Sequence, residues 1–201
     1  MKLAMFGGSF DPVHKNHVSL CETMIDKIGL DKVIVFPAAC SPFKKGTQTE
    51  DFHRLNMCRL AFENCDKVEI SDFETKRGGK SYTIDTLRFL NTEYKDSELY
   101  LITGADAFLT LDKWYKAEEI FCLAHILTVV RDDDRIDSLK AKAEELKSEF
   151  NARCTLISTP VGSVSSTKVR EALKSGSDVG LFLQDNVLKY IKENGLYGYA
   201  D

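Results

Sequence analysis

The sequence lacks several features that would place it in particular classes of protein. It has no tract rich in lysine and arginine, and its net charge is −4, which disfavours a nucleic acid as the main partner. Its apolar runs are far shorter than the roughly 18 residues of a membrane-spanning helix, so no membrane partner is expected. The six cysteines form no CxxC pair, and we expect no secretory leader ahead of them. We therefore expect reduced thiols and a cytoplasmic location.

The 201 residues alternate short apolar runs with stretches of helical periodicity. The runs predict strands at 2–6, 32–36, 67–70, 99–103, 126–130 and 155–157. Helices are predicted between them and after residue 165, and a loop is predicted at 75–80. This order predicts one α/β domain over 1–201, doubly wound and Rossmann-like, with a mostly parallel sheet flanked by helices. Such folds bind ligands outside the carboxyl ends of their strands.

The first strand leads into a stretch that suits a phosphate group. We expect Gly7 and Gly8 to form an open loop whose backbone N–H groups face a ligand, and the next helix offers a positive dipole end. His14 and His17 are three residues apart, so both side chains can reach one phosphate. The dinucleotide fingerprint G-x-G-x-x-G is absent. Zinc held by His14, His17 and Cys21 is the competing interpretation, and it lacks a fourth ligand.

A second stretch, SVSSTKVR at 163–170, offers hydroxyl groups at the start of another helix. One interpretation is a simple helix cap by Ser166 or Thr167. The other is a second anion site, in which Ser165, Ser166 and Thr167 lie near Arg170 one turn later. Together with the glycine-histidine loop, this pattern indicates a polyphosphate held between two helix N-termini.

These stretches resemble the motifs of the HxGH nucleotidyltransferase superfamily. GGSFDPVHKNH resembles its phosphate motif, and SSTKVR resembles its second motif, ISSTxxR. PAACSPFKK, FHRLNM, GGKSYTIDTL, GADAFLTLDKW and VLKYIKENGLY narrow the resemblance to bacterial nicotinate mononucleotide adenylyltransferases, over nearly the whole chain.

The resemblance implies transfer of AMP from ATP to nicotinate mononucleotide, giving deamido-NAD and pyrophosphate in NAD biosynthesis. His14, His17, Lys44 and Arg170 would be the catalytic residues. The segment from about 165 to 201 would complete the ATP site. Mg²⁺ would be bound mainly by the ATP phosphates, with no protein side chain as a ligand.

The resemblance also assigns the remaining binding residues. ATP would contact Gly7, Gly8, Ser9, Phe10, His14, His17, Gly104, Asp106, Ser165, Ser166, Thr167 and Arg170. Nicotinate mononucleotide would contact Lys44, Ser81, Tyr82, Thr83 and Trp114, the only tryptophan. The Ser81-Tyr82-Thr83 stretch is also compatible with an ordinary helix cap.

Two positions depart from the family pattern. Asn16 replaces the glycine between the histidines, and asparagine also tolerates left-handed backbone. Arg131–Asp134 replaces an Arg-Pro-Gly loop, which puts contacts from that loop in doubt. A sister enzyme with another acceptor and a non-catalytic nucleotide sensor are the alternatives. The sequence leaves open a homo-oligomer and the degree of preference for the acid over the amide.

Overall fold

A computed structural model describes residues 1–40, 49–130, 136–158 and 164–199. The strands are β1 (Lys2–Gly8), β2 (Lys32–Pro37), β3 (Val68–Ile70), β4 (Glu98–Thr103), β5 (Ala124–Val130) and β6 (Cys154–Ser158). In these described ranges they form one sheet in the order β3-β2-β1-β4-β5-β6, with every neighbouring pair parallel. The doubly wound α/β prediction is confirmed, and the sheet is wholly rather than mostly parallel.

Helices connect successive strands, as parallel pairing requires. They are α1 (Lys15–Ile28), α2 (Asp51–Ala61), α3 (Phe73–Arg77), α4 (Thr83–Glu93), α5 (Ala105–Phe108), α6 (Ala117–Leu123), α7 (Ile136–Phe150), α8 (Ser166–Lys174) and α9 (Asp185–Glu193), with 3₁₀ turns at Leu111–Lys113 and Leu196–Gly198. The predicted loop at 75–80 is wrong in part, because α3 occupies its beginning. Five residues are too few to produce a helical periodicity.

Each face of the sheet carries its own hydrophobic core. Ala4 and Phe6 point to a core shared with α1, α2, α8 and α9. Leu3 and Met5 point to the opposite core, shared with α4, α6 and α7. Since successive strand residues point to opposite faces, a strand buried on both sides is a continuous apolar run. That is why the strands were recognisable in the sequence.

The site is positioned by the strand order. β1 lies between β2 and β4, so the chain winds away from β1 in both directions. The crevice at such a switch point opens outside the carboxyl ends of the central strands. The segments that follow Gly8 and Thr103 therefore begin side by side at this edge.

Candidate active site

Gly7 and Gly8 are the last two residues of β1, paired in register with Phe36 and Pro37. The prediction that they form an open loop is therefore wrong. Gly8 accepts a hydrogen bond on its carbonyl from the N–H of Ala38, at 2.8 Å. A Cβ atom at Gly8 would lie 3.0 Å from the Phe10 ring, so a larger residue would displace that ring. Close packing explains this glycine.

Phe10 turns the chain out of the strand with a φ of +46°, a conformation rare for a non-glycine residue. Its ring is 2% exposed and meets the His17 ring edge-on, with centroids 4.9 Å apart. Strained backbone of this kind persists where the surroundings enforce it, and it is frequent at functional sites. The Phe10 ring thus packs against the His17 ring. A contact of Phe10 with ATP stays a prediction.

His14 and His17 lie together at the start of α1, as their spacing predicts. His14 is the N-cap residue and is 4% exposed, and the two rings stack with centroids 3.7 Å apart. The backbone N–H of His14 donates to Nδ1 of His17 at 3.2 Å. A neutral imidazole that accepts at Nδ1 carries its proton on Nε2. His17 is therefore assigned as a hydrogen-bond donor through Nε2.

Asn16 lies in the first turn of α1, between the two histidines. Among the described residues, positive φ at a non-glycine position occurs at Phe10, Lys116, Asn151 and Tyr197. The left-handed backbone that asparagine tolerates is thus not used at position 16.

The zinc interpretation finds no support in this geometry. No group of three His, Cys, Asp or Glu side chains within the described ranges is arranged to hold a metal ion. Cys21 is fully buried in the α1 core, and burial raises the pKa of its thiol.

The start of α8 packs directly against the loop between β1 and α1. The Ser166 hydroxyl donates to the Pro12 carbonyl at 2.9 Å, and the Arg170 guanidinium donates to the Asp11 carbonyl at 2.6 Å. These contacts span more than 150 residues of sequence. They bring the two predicted phosphate-binding stretches together.

The hydroxyl groups at the start of α8 have different hydrogen-bond partners. Ser165, rather than Ser166 or Thr167, is the N-cap residue, and its Oγ accepts from the N–H of Lys168 at 3.3 Å. Thr167 is exposed, and its Oγ1 accepts from Arg170 at 3.3 Å. The helix cap and the proposed anion site thus occupy the same helix start.

The C-terminal segment adds contacts that the sequence interpretation missed. The Tyr197 hydroxyl donates to the Asp11 carboxylate at 2.8 Å, and burial raises the pKa of this tyrosine. Lys15 donates from its backbone N–H to the Phe182 carbonyl and from its side chain to the Gly180 carbonyl. The quoted VLKYIKENGLY stretch contained Tyr197, and only the fold shows what its hydroxyl meets.

Arg54 of α2 is a second missed residue, although it lies in the quoted FHRLNM stretch. Its side chain is fully buried and donates to the Ser9 carbonyl at 2.7 Å and to the Asp51 carboxylate at 2.5 Å. A buried charge is costly unless it is paired and hydrogen-bonded. The Arg54 side chain thus holds the loop after β1 in place through the Ser9 carbonyl. Its neighbour His53 pairs with the Tyr190 hydroxyl at 2.9 Å and joins α2 to α9.

The predicted acceptor residues Tyr82 and Thr83 lie on the opposite face of the sheet, at the start of α4. Tyr82 is the N-cap residue of α4, Thr83 is the first helical residue, and both are partly buried. The Tyr82 ring lies 4.8 Å from that of Tyr115, beside Trp114. Tyr82 and Trp114 both pack against the core on this face. The structure therefore brings the SYT turn and the tryptophan region together.

Ser81 joins the start of α4 to the segment that follows β2. It is 8% exposed, its N–H donates to the Cys40 carbonyl, and its Oγ accepts from the Ala39 N–H at 3.0 Å. A direct contact of its side chain with the acceptor stays a prediction.

The predicted ribose contacts follow β4 at the same edge of the sheet. Gly104 precedes the four-residue helix α5 as its N-cap, and Asp106 is exposed on that helix. Lys44 and Arg131–Asp134 lie outside the described residues.

In the portion of the chain that the structure describes, no helix is both long and apolar enough to cross a membrane.

Comparison with known proteins places the chain first in a class and then in a family. The family model described as cytidylyltransferase-like matches residues 5–172, so the protein is a nucleotidyltransferase. A nicotinate-nucleotide adenylyltransferase of Bacillus subtilis is 33% identical over 197 residues, with 98% of each chain covered. A probable nicotinate-nucleotide adenylyltransferase of Clostridium tetani is also 33% identical, with the same coverage. The chain belongs to the nicotinate-nucleotide adenylyltransferase family.

A solved structure supports the fold independently. The nicotinic acid mononucleotide adenylyltransferase of Plasmodium falciparum, complexed with NaAD, matches with a TM-score of 0.81 at 22% identity. The match covers 99% of this chain and 98% of the other. At this identity the likeness establishes the shared fold.

Proposed function

We propose that this protein transfers AMP from ATP to nicotinate mononucleotide, releasing pyrophosphate and forming deamido-NAD for NAD biosynthesis. The observation that carries the proposal is the meeting of two helix starts. Ser166 and Arg170 of α8 donate to the loop that ends at His14, the N-cap residue of α1. A polyphosphate between them would meet backbone N–H groups and positive dipole ends from both helices.

The attacking group in this reaction is a phosphate oxygen of the acceptor. Such an oxygen is already ionised near neutral pH, so the site needs no general base. Catalysis then depends on alignment and on stabilising charge at the transferred phosphorus. His17, a donor through Nε2, and His14 would contact the α-phosphate.

The leaving pyrophosphate would lie at α8. The first N–H groups of a helix have no partner within the helix and are suited to phosphate oxygens. Arg170 would bind the β- and γ-phosphates, and Ser165, Ser166 and Thr167 would provide hydroxyl and backbone donors. In this proposal the segment from about 165 to 201 completes the ATP site of a single domain.

The acceptor would bind on the α4 side of the crevice. The start of α4 favours a carboxylate through its N–H groups and its dipole, and Trp114 would stack on the pyridine ring. Lys44 would contact the phosphate of the mononucleotide. Gly104 and Asp106 would hold the ribose of ATP at the end of β4.

Mg²⁺ would enter this site bound to ATP rather than as an ion held by protein side chains. The side chains gathered at the two helix starts are mainly imidazole, hydroxyl and guanidinium groups, which suit phosphate oxygens better than a hard cation. Its ligands would thus be ATP phosphates and water. When bound there, Mg²⁺ neutralises charge on the phosphates.

We also propose that the enzyme acts in the cytoplasm. All six cysteines are free thiols, including the exposed Cys122. Unpaired thiols are typical of a reducing compartment. Tagging the protein in cells and fractionating them checks this, and recovery in an extracellular fraction would contradict it.

The decisive test compares nicotinate and nicotinamide mononucleotide as acceptors with the purified enzyme. We expect a preference for the acid of at least about tenfold in kcat/KM, since an unmade buried hydrogen bond is worth about 1–3 kcal/mol. Pyrophosphate release that depends on the acceptor identifies an enzyme rather than a nucleotide sensor. Equal use of both acceptors would contradict the α4 assignment, and release with phosphopantetheine instead would indicate a sister enzyme.

A further inference from the structure

Glu74 is a buried carboxylate that the proposed reaction does not use. It lies on α3 and is 3% exposed. The Thr86 hydroxyl donates to Oε1 of Glu74 at 2.6 Å, and the Ser81 side chain also interacts with its carboxylate. Within the described ranges Glu74 forms no ion pair. Burial is the main cause of its raised pKa, and Thr86, Ser81 and the charge of Arg77 partly offset that effect.

Burial of a carboxylate that forms no ion pair carries a cost in desolvation free energy. A buried polar group is tolerated where its hydrogen bonds are made, and Glu74 accepts one from the buried Thr86. Polar networks of this kind can fix one arrangement of the chain. The relevant question is therefore which segments Glu74 holds.

The side-chain contacts of Glu74 lead to both segments proposed to border the acceptor. Thr86 lies in the first turns of α4. Ser81 accepts from the Ala39 N–H at 3.0 Å, and its own N–H donates to the Cys40 carbonyl at 2.9 Å. An isolated bridge pairs Cys40 with Lys80. Glu74 thus connects the start of α4 with the segment that follows β2.

We propose that Glu74 is a positioning residue for the acceptor: it fixes the Ser81–Thr83 turn against Ala39 and Cys40 through the hydroxyls of Ser81 and Thr86. This inference rests on the proposed function, because it takes that turn as the acceptor site. ATP, in the same scheme, is held on the other face of the sheet by α1 and α8. A substitution at Glu74 should therefore weaken binding of the acceptor more than binding of ATP.

The test replaces the polar link while preserving volume. Glu74→Met removes both acceptor oxygens, Thr86→Val removes one donor, and Glu74→Gln keeps one carbonyl oxygen. Thr92→Val is the matched control, because Thr92 is exposed on the same helix and its hydroxyl donates to the Arg88 carbonyl at 3.0 Å. Acceptor binding is followed by the fluorescence of Trp114, which is the only tryptophan.

We expect Glu74→Met to raise the KM and the Kd for nicotinate mononucleotide about tenfold, and the KM for ATP by less than about twofold. Thr86→Val should move the same constants in the same direction, and Glu74→Gln should restore them to within about threefold of wild type. The thermal unfolding midpoint of Glu74→Met should change little, because removal of the desolvated carboxylate and loss of its hydrogen bond to Thr86 act in opposite directions. Thr92→Val should match wild type.

An unchanged acceptor KM in Glu74→Met and Thr86→Val would overturn the proposal. Equal increases in both KM values, with a lowered unfolding midpoint, would also overturn it and leave Glu74 a purely structural residue. If Glu74→Met does not fold, Thr86→Val and Glu74→Gln decide by the same criteria. A wild-type protein that binds neither mononucleotide nor ATP would instead contradict the proposed function.

Discussion

A single hydrogen bond determines what His17 can do. Because Nδ1 accepts from the His14 N–H at 3.2 Å, the ring presents Nε2–H on its other side. The Phe10 ring, 4.9 Å away, and the stacked His14 ring hold the imidazole in this orientation. A donor that is oriented before the substrate arrives stabilises charge without further reorganisation.

We expect His17→Ala to lower kcat about 10²- to 10³-fold, with little change in the KM for ATP, because loss of one oriented donor typically has this effect. Steady-state kinetics with saturating acceptor measure it. His53→Ala is the control, since His53 bonds to Tyr190 between α2 and α9. Near wild-type turnover in His17→Ala would remove this residue from the mechanism.

At the scale of elements, the site depends on how the C-terminal segments hold the loop between β1 and α1. α8 holds Asp11 and Pro12 through their carbonyl groups, and the final 3₁₀ turn holds the Asp11 carboxylate through Tyr197. Tyr197 itself has a φ of +61°. The contact of its hydroxyl with the loop between β1 and α1 explains this strained backbone better than local preference does.

We expect Tyr197→Phe to lower kcat about three- to tenfold, the value of about one hydrogen bond, while the ring remains packed. The matched control is Tyr199→Phe, which removes a hydroxyl two residues later, where the ring receives Lys192 at 4.9 Å from its centroid. Both variants are compared by kcat and by thermal unfolding. Equal kcat values for the two variants would contradict a role of Tyr197 in positioning the loop.

At the scale of the whole molecule, two cores lie on opposite faces of one sheet, and the proposed ATP and acceptor sites lie on different faces. Ionisable groups within this fold also link its stability to pH. Burial lowers the pKa of His125 on β5 from its ordinary value of 6.5, and Nε2 of its ring pairs with the Thr155 hydroxyl at 2.8 Å. The unfolded chain therefore binds this proton more readily than the folded protein does.

We expect the free energy of unfolding to fall as pH drops below about 6.5, because His125 gains its proton first in the unfolded state. The raised pKa of Glu74 acts in the opposite direction, so the variant is needed to isolate His125. His125→Phe should show a smaller loss between pH 7.5 and pH 5.5, a window of about one unit on each side of the ordinary histidine value. Urea unfolding at both pH values measures this. An equal loss in wild type and variant would contradict it.

The sequence by itself determined the order of the elements and the candidate residues at the helix starts. Strands buried on both faces are continuous apolar runs, and long amphipathic helices repeat every three to four residues, so both are readable locally. The pairing of His14 with His17 is likewise a matter of spacing along one helix. The short helix α3 and the strand ending at Gly8 were misjudged, because neither has a local pattern of its own.

Only the tertiary structure decided which distant groups meet. Arg170 and Tyr197 reach Asp11 across more than 150 residues, and Arg54 reaches the Ser9 carbonyl across 45. Glu74 connects α3 with α4 and, through Ser81, with the segment after β2. Such contacts arise from strand order and helix packing, which place chain segments side by side without any periodic trace in the sequence. A hydrogen bond depends on that final geometry, and local composition does not encode it.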